Sequence, residues 1–115
     1  MKTTLLAATV LAAASAGWAA RPAHADDTGI AAIHSWVKVG RKTCMVDHFH
    51  EGSGTGKTRQ KAETGAKQSW TDFTAWEYGS DWARYSISES KQVDCSRNGA
   101  SDWSCQVSSR PCRPR

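Results

Sequence analysis

Two histidines one residue apart, His48 and His50, stand in the most chemically loaded stretch of the chain, Asp47-His48-Phe49-His50-Glu51. On a strand, alternate residues share a face, so the two imidazoles would project together with Cys44 and Val46. Imidazole nitrogens suit zinc and copper, and a pair at this spacing becomes a metal site once a third ligand joins it. His34, Asp47 and Glu51 are the candidate third ligands, and spacing does not choose among them. The plain alternative is an ordinary strand end with half-exposed histidines. The same pair could serve as general acid and base in a small secreted hydrolase, with Lys57, Arg59 or Arg84 neutralising a phosphate. That chemistry needs a cleft, which an H-x-H pattern does not specify.

Residues 52–58, Gly-Ser-Gly-Thr-Gly-Lys-Thr, approach a phosphate-binding loop and depart from it at a decisive position. The pattern G-x-x-x-x-G-K-[ST] needs glycine five residues before Gly56, and Glu51 stands there. A carboxylate opposes phosphate, and a chain this short has no room for the parallel sheet of nucleotide hydrolases. The stretch 51–57 therefore reads as a flexible glycine-rich loop. No G-x-S-x-G occurs to suggest a serine nucleophile. Among the aromatic residues, Trp36, Trp70, Trp76, Trp82 and Trp103 are mostly claimed by packing. Tyr78 and Trp82, bracketing the turn at 79–81, are the pair expected to stay partly exposed and are the candidate ligand-binding aromatics.

Cys44, Cys95, Cys105 and Cys112 lie 51, 10 and 7 residues apart, with none of the close C-x-x-C pairs of a zinc site. An even count in an exported chain favours two disulfides. Export is indicated by Lys2, a twelve-residue apolar stretch at 5–16, and Ala23-His24-Ala25 as a cleavage site, with Ala14-Ser15-Ala16 competing. Twelve residues reach only about 18 Å as a helix, short of the roughly 30 Å membrane core. Residues 1–25 thus read as a signal peptide, and no later segment has transmembrane length.

These residues need elements to hold them. Residues 26–35 read as a weakly ordered lead-in. Trp36-Val37-Lys38-Val39 and Thr43-Cys44-Met45-Val46 are β-like around Gly40-Arg41, a II′ turn sequence. Between 58 and 77, Ala62, Ala66, Trp70, Phe73 and Trp76 form one face of an amphipathic helix that Gly79 stops, its small residues allowing a sheet to approach closely. From 83 onward the period is two: Ala83, Tyr85 and Ile87, then Val93 and Cys95, then Trp103, Cys105 and Val107, with a turn at Asn98-Gly99. Cys95 and Cys105 centre on residue 100, which pairs them across a hairpin and leaves Cys44 for Cys112. Four cysteines allow three connectivities, and the other two stay open. The expected fold is α+β, one amphipathic helix on a small antiparallel sheet with two disulfides. A lead-in with a possible edge strand would occupy 26–42, the stapled domain 43–112 and a basic tail 113–115.

The segment from Ala66 to Cys112 carries a helix ending at Trp70, then Trp76-Glu77-Tyr78-Gly79-x-x-Trp82-Ala83, Cys95, Trp103-x-Cys105 and Arg110-Pro111-Cys112. It resembles a group of small exported proteins of Gram-negative bacteria with a Trp/Tyr-Gly helix end and a closing Pro-Cys. The resemblance implies export and disulfides and carries over no functional residue; the histidine segment lies outside it.

The whole chain has 115 residues and a formal net charge of +4, which by itself suggests a nucleic-acid binder. Lys2 and Arg21 leave with the signal, and Arg110, Arg113 and Arg115 close the chain, so residues 26–109 hold 10 basic against 11 acidic residues. Nucleic acid is therefore not an expected partner. All three leucines also lie in the signal, so aromatic packing and disulfides must replace an aliphatic core. The preferred expectation is a periplasmic or secreted, tryptophan-rich binding or envelope-interaction module with a protein or envelope component as partner, and not an enzyme. It requires no cofactor. The alternatives are a periplasmic zinc- or copper-binding protein using His48 and His50, and a small secreted hydrolase.

Overall fold

The computed structural model describes residues 30–115; the expected signal peptide, 1–25, lies outside them. Trp36–Val39 (β1) and Lys42–Met45 (β2) pair antiparallel around Gly40, whose φ of +61° precedes a negative φ at Arg41, the backbone a II′ turn requires. Cys112–Arg113 (β6) joins the other side of β2, with Cys44 opposite Cys112 and Thr43 opposite Arg113. The first strand is an edge strand of this sheet. The folded unit is nevertheless wider than 43–112, because β1 and Arg113 both belong to it. Ahead of β1, Ile30–Ile33 makes one 3-10 turn that buries Ala31 against Met45, Tyr78 and Trp82.

The second sheet corrects the loop expected at 51–57. His50–Gly56 is a strand, β3. It pairs with Asp102–Arg110 (β5), which in turn pairs with Glu89–Asn98 (β4), giving the order β3-β5-β4. The reason is contact with the helix, Arg59–Tyr78 (α1). Gly52 and Gly54 face it, and a Cβ on either would sit 2.2 Å or 2.4 Å from the backbone oxygen of Ala66 or Ala62. The glycines therefore provide close approach, not flexibility. Thr58 caps α1 by accepting from the Lys61 N–H at 3.2 Å, and Gly79, at φ +94°, ends it.

The buried stripe of α1 is Ala62, Ala66, Trp70, Thr74 and Tyr78, a strict four-residue repeat. Phe73 and Trp76, expected on that face, are 44% and 80% exposed. Glycine at successive inward positions of β3 narrows the contact to a single row, and residues three after Trp70 rotate out of it. Residues 83–88 differ as well. Instead of continuing a strand, Tyr85–Ile87 forms a 3-10 turn, because the Ser88 hydroxyl and N–H both donate to the Tyr85 carbonyl at 2.7 and 3.1 Å.

In the β4–β5 hairpin Asn98 lies opposite Asp102 and Cys95 opposite Cys105. The disulfides are Cys95–Cys105 and Cys44–Cys112, the expected pairing. The fold is α+β, with one helix packed on antiparallel sheets, two of three strands each. No helix among the described residues is long and apolar enough to cross a membrane.

Candidate functional site

His50 is the first residue of β3, on the same inward face as Gly52 and Gly54, so it enters the narrow space against the last turns of α1 and is only 2% exposed. Thr74 and Glu77, three apart on α1, share the face that meets it. His50 Nδ1 lies 2.8 Å from the Thr74 hydroxyl oxygen, and Nε2 lies 2.8 Å from Glu77 Oε2. The Tyr78 ring stacks on the imidazole at 4.6 Å, and the Phe73 ring tilts against it at 4.9 Å. His48 sits in the link between the two sheets, its ring 5.2 Å from that of His50.

The protons on this arrangement can be assigned. Thr74 has one hydroxyl hydrogen, and it is donated to the Trp70 carbonyl at 2.7 Å. The same oxygen must then accept, so the His50 proton lies on Nδ1. Burial, with the nearby His48 and His34 imidazoles, pulls the His50 pKa down from 6.5 to about 4. The ring is therefore neutral at neutral pH, and its contact with Glu77 is not an ion pair. Nε2 presents a lone pair to a carboxylate oxygen, and neither atom has an aligned hydrogen-bond donor. Two electron-rich atoms held at 2.8 Å in a buried setting are unfavourable unless a proton or a metal ion lies between them. Burial and the Glu77 carboxylate push the Tyr78 hydroxyl above its ordinary pKa, so it remains a neutral phenol here.

Among the described residues, His48, His50 and Glu77 form a group whose ligand atoms lie within 4.8 Å of one another. Zinc bonded to nitrogen and oxygen at roughly 2.0–2.2 Å places tetrahedral donors roughly 3.4 Å apart, so modest side-chain rotation satisfies it. The Thr74 oxygen on His50 Nδ1–H is the outer hydrogen bond that metal-ligating histidines usually have, fixing the tautomer with Nε2 free. The donor set thus fits a borderline divalent ion. Thr74→Val strands this buried N–H and is expected to destabilise the protein by about 1–3 kcal/mol in denaturant unfolding.

His48 and His50 bring their rings to 5.2 Å across the link between the sheets, and not as alternate residues of one strand. The third ligand-type group beside them, Glu77, is none of the three expected. Asp47 and Glu51 are exposed, Glu51 lying at the rim, while His34 lies beyond His48 with its ring 4.5 Å away. Glu77 was not identified from sequence; the repeat Trp70, Thr74, Tyr78 was the available signal, since it turns Thr74 and its neighbour Glu77 toward the sheet.

Tyr78 and Trp82, expected as an exposed pair, are completely buried. Both pack with Ala31 and Met45, and the Arg113 guanidinium covers Trp82 and Trp36 at 5.4 and 4.7 Å. The basic tail is corrected by the same contact: Arg113 is half-buried on these rings, and Arg110 donates to the carbonyls of Met45 and Val46 at 3.0 and 3.1 Å. The cations of the hydrolase alternative are dispersed. Lys57 pairs with Asp102 at 2.8 Å, and Arg84 borders a different depression with Arg41 and Lys42. The histidines instead line an open cleft of about 520 Å³ with Phe49, Glu51, Ser69, Phe73 and Glu77.

No protein-family model, curated protein or solved structure matches this chain.

Proposed function

We propose that the protein is an exported metal-binding module, periplasmic or secreted, that holds a zinc or copper ion through His48, His50 and Glu77. The observation that carries this reading is the buried Nε2 of His50, set 2.8 Å from a carboxylate oxygen with no donor aligned to either, and with His48 close enough to complete a three-ligand group. Two disulfides support an oxidising compartment, and the leader-like residues 1–25 support export. The resemblance to small exported Gram-negative proteins points to the same compartment. Neutral imidazole and carboxylate are ligands that zinc and copper share, and the Irving–Williams order gives copper the higher intrinsic affinity.

Competition titration with a chromophoric chelator tests the reading. The oxidised protein is expected to bind one equivalent of zinc, and His48→Ala/His50→Ala to bind at least about a hundredfold more weakly. Circular dichroism checks that the disulfides keep the variant folded. Equal, weak binding by both proteins overturns the proposal. Thr74→Val leaves all three ligands in place and is expected to weaken zinc about 10–100-fold through loss of the outer hydrogen bond.

A further inference from the structure

Resting on that metal reading, the centre has a fourth coordination position, and its surroundings define what enters it. Three protein ligands are the count of an exchangeable site, whereas structural zinc sites close with four. His34 is the nearby imidazole that would close it from within, its ring 4.5 Å from that of His48, but it does not join the group of His48, His50 and Glu77 whose ligand atoms lie together. It borders a second depression with Ile33, Ser35, Val46 and Asp47, which shares only His48 with the cleft that His50 and Glu77 line. His48, His50 and Glu77 all open instead onto the cleft walled by Phe49 and Phe73. Two disulfides already cross-link the fold, so a closed metal site is not needed for folding.

The cleft has a distinct character. Phe49 and Phe73 are 46% and 44% exposed, and Trp76, 80% exposed, stacks beside Phe73 at 6.1 Å. Aromatic side chains left in water around a set of metal-binding atoms provide flat apolar walls. The charge is equally restrictive. Glu77 and Glu51 supply two carboxylates, and among the described residues no lysine or arginine lines the cleft. A bound divalent ion balances those charges and leaves nothing to attract an anion, which would also meet Glu51.

We infer that the fourth position takes an uncharged aromatic nitrogen donor, the imidazole of a histidine, with its ring against Phe73 and Phe49. Imidazole combines a donor these metals favour with a flat face that suits the walls, and it carries no charge to be opposed by Glu51. The same chemistry is available from free histidine and from a histidine on a polypeptide.

Cobalt(II) loading makes the position visible, because its absorption bands change when the fourth ligand changes. Imidazole, acetate and blocked Gly-His-Gly are titrated into the cobalt-loaded protein. Imidazole is expected to bind at least about tenfold more tightly than acetate, and both Phe73→Ala and Phe49→Ala to reduce that preference about fivefold to tenfold. If the tripeptide matches imidazole, the source is a polypeptide; if only imidazole binds, it is a small molecule. Equal binding of acetate and imidazole, or a preference unchanged in both variants, overturns the inference while the metal reading stands. Absence of any cobalt band at one equivalent overturns both.

Discussion

Gly54→Val is expected to abolish cooperative folding at room temperature or to leave a domain destabilised by more than about 4 kcal/mol, a loss that sets it among the most severe single substitutions. The smallest possible side chain already collides: a Cβ on Gly54 would stand 2.4 Å from both the Ala62 oxygen and the Ala66 nitrogen. Those atoms are backbone in the middle of α1 and cannot swing away as a side-chain tip would. The helix must lift from β3, and lifting it uncovers Ala62, Ala66 and Trp70 together with Val107 beneath them. Gly54→Ala is the measurable companion, expected to destabilise by about 3 kcal/mol in urea unfolding, near the top of the usual overpacking range. The control lies directly across the same contact. A Cβ on Gly65 would meet only the Gly54 Cα, at an ordinary 3.5 Å. Gly65→Ala should therefore stabilise the protein by about 0.5–1 kcal/mol through helix propensity. Equal effects from Gly54→Ala and Gly65→Ala would mean that the strand and helix are not held at this distance. The substitution also has a functional consequence. His50 occupies the same inward row as Gly54, so moving β3 from α1 separates its imidazole from Thr74 and Glu77. Gly54→Ala is expected to weaken zinc as well as stability, although it touches no ligand.

The same contact explains what the sequence disclosed and what it concealed. The helix, its Thr58 start, its Gly79 stop and the hairpin at Gly99 were legible because each depends on residues within a few positions of one another. The cysteine pairing was legible for a related reason: a hairpin centred near residue 100 places Cys95 opposite Cys105. The strand at β3 was not legible, since glycines are poor strand formers and their value here comes from a helix face that begins several residues later. Phe73 and Trp76 read as core residues because they are large and apolar. Only the narrowness of the glycine contact sends them outward, and the same geometry brings Thr74 inward although it is polar. The candidate site divides along the same line. His48 and His50 declare themselves by local spacing, while Glu77 lies 27 residues beyond His50 and becomes a neighbour only through the packing of α1 on β3.

Removing the Cys44–Cys112 disulfide, as Cys44→Ala/Cys112→Ala, is expected to destabilise the protein by about 4 kcal/mol in the chain-entropy account, a large share of the 5–15 kcal/mol typical of a small domain. The bridge closes a loop across a sequence separation of 68, so the unfolded chain gains much freedom when it is cut. The native side is equally dependent on it. The final strand is only Cys112–Arg113, paired with β2 at two positions, too short to stay attached through its ladder alone. Freed, it would take Arg113 from Trp36 and Trp82 and open the cluster of Ala31, Met45, Tyr78 and Trp82 to water. Cys95→Ala/Cys105→Ala should matter less, at about 3 kcal/mol or below, because the separation is 10 and the turn at Gly99 already brings the strands together. Urea unfolding of the two double variants measures the order directly, and a greater loss from the hairpin disulfide would contradict this account. The proposed metal site should follow the long bridge. His48 leaves the sheet that Cys44 anchors, while Tyr78, the ring stacked on His50, packs into the cluster that Arg113 helps to cover. Cys44→Ala/Cys112→Ala, which cuts the bridge without creating zinc-binding thiols, is therefore expected to lower zinc affinity along with stability.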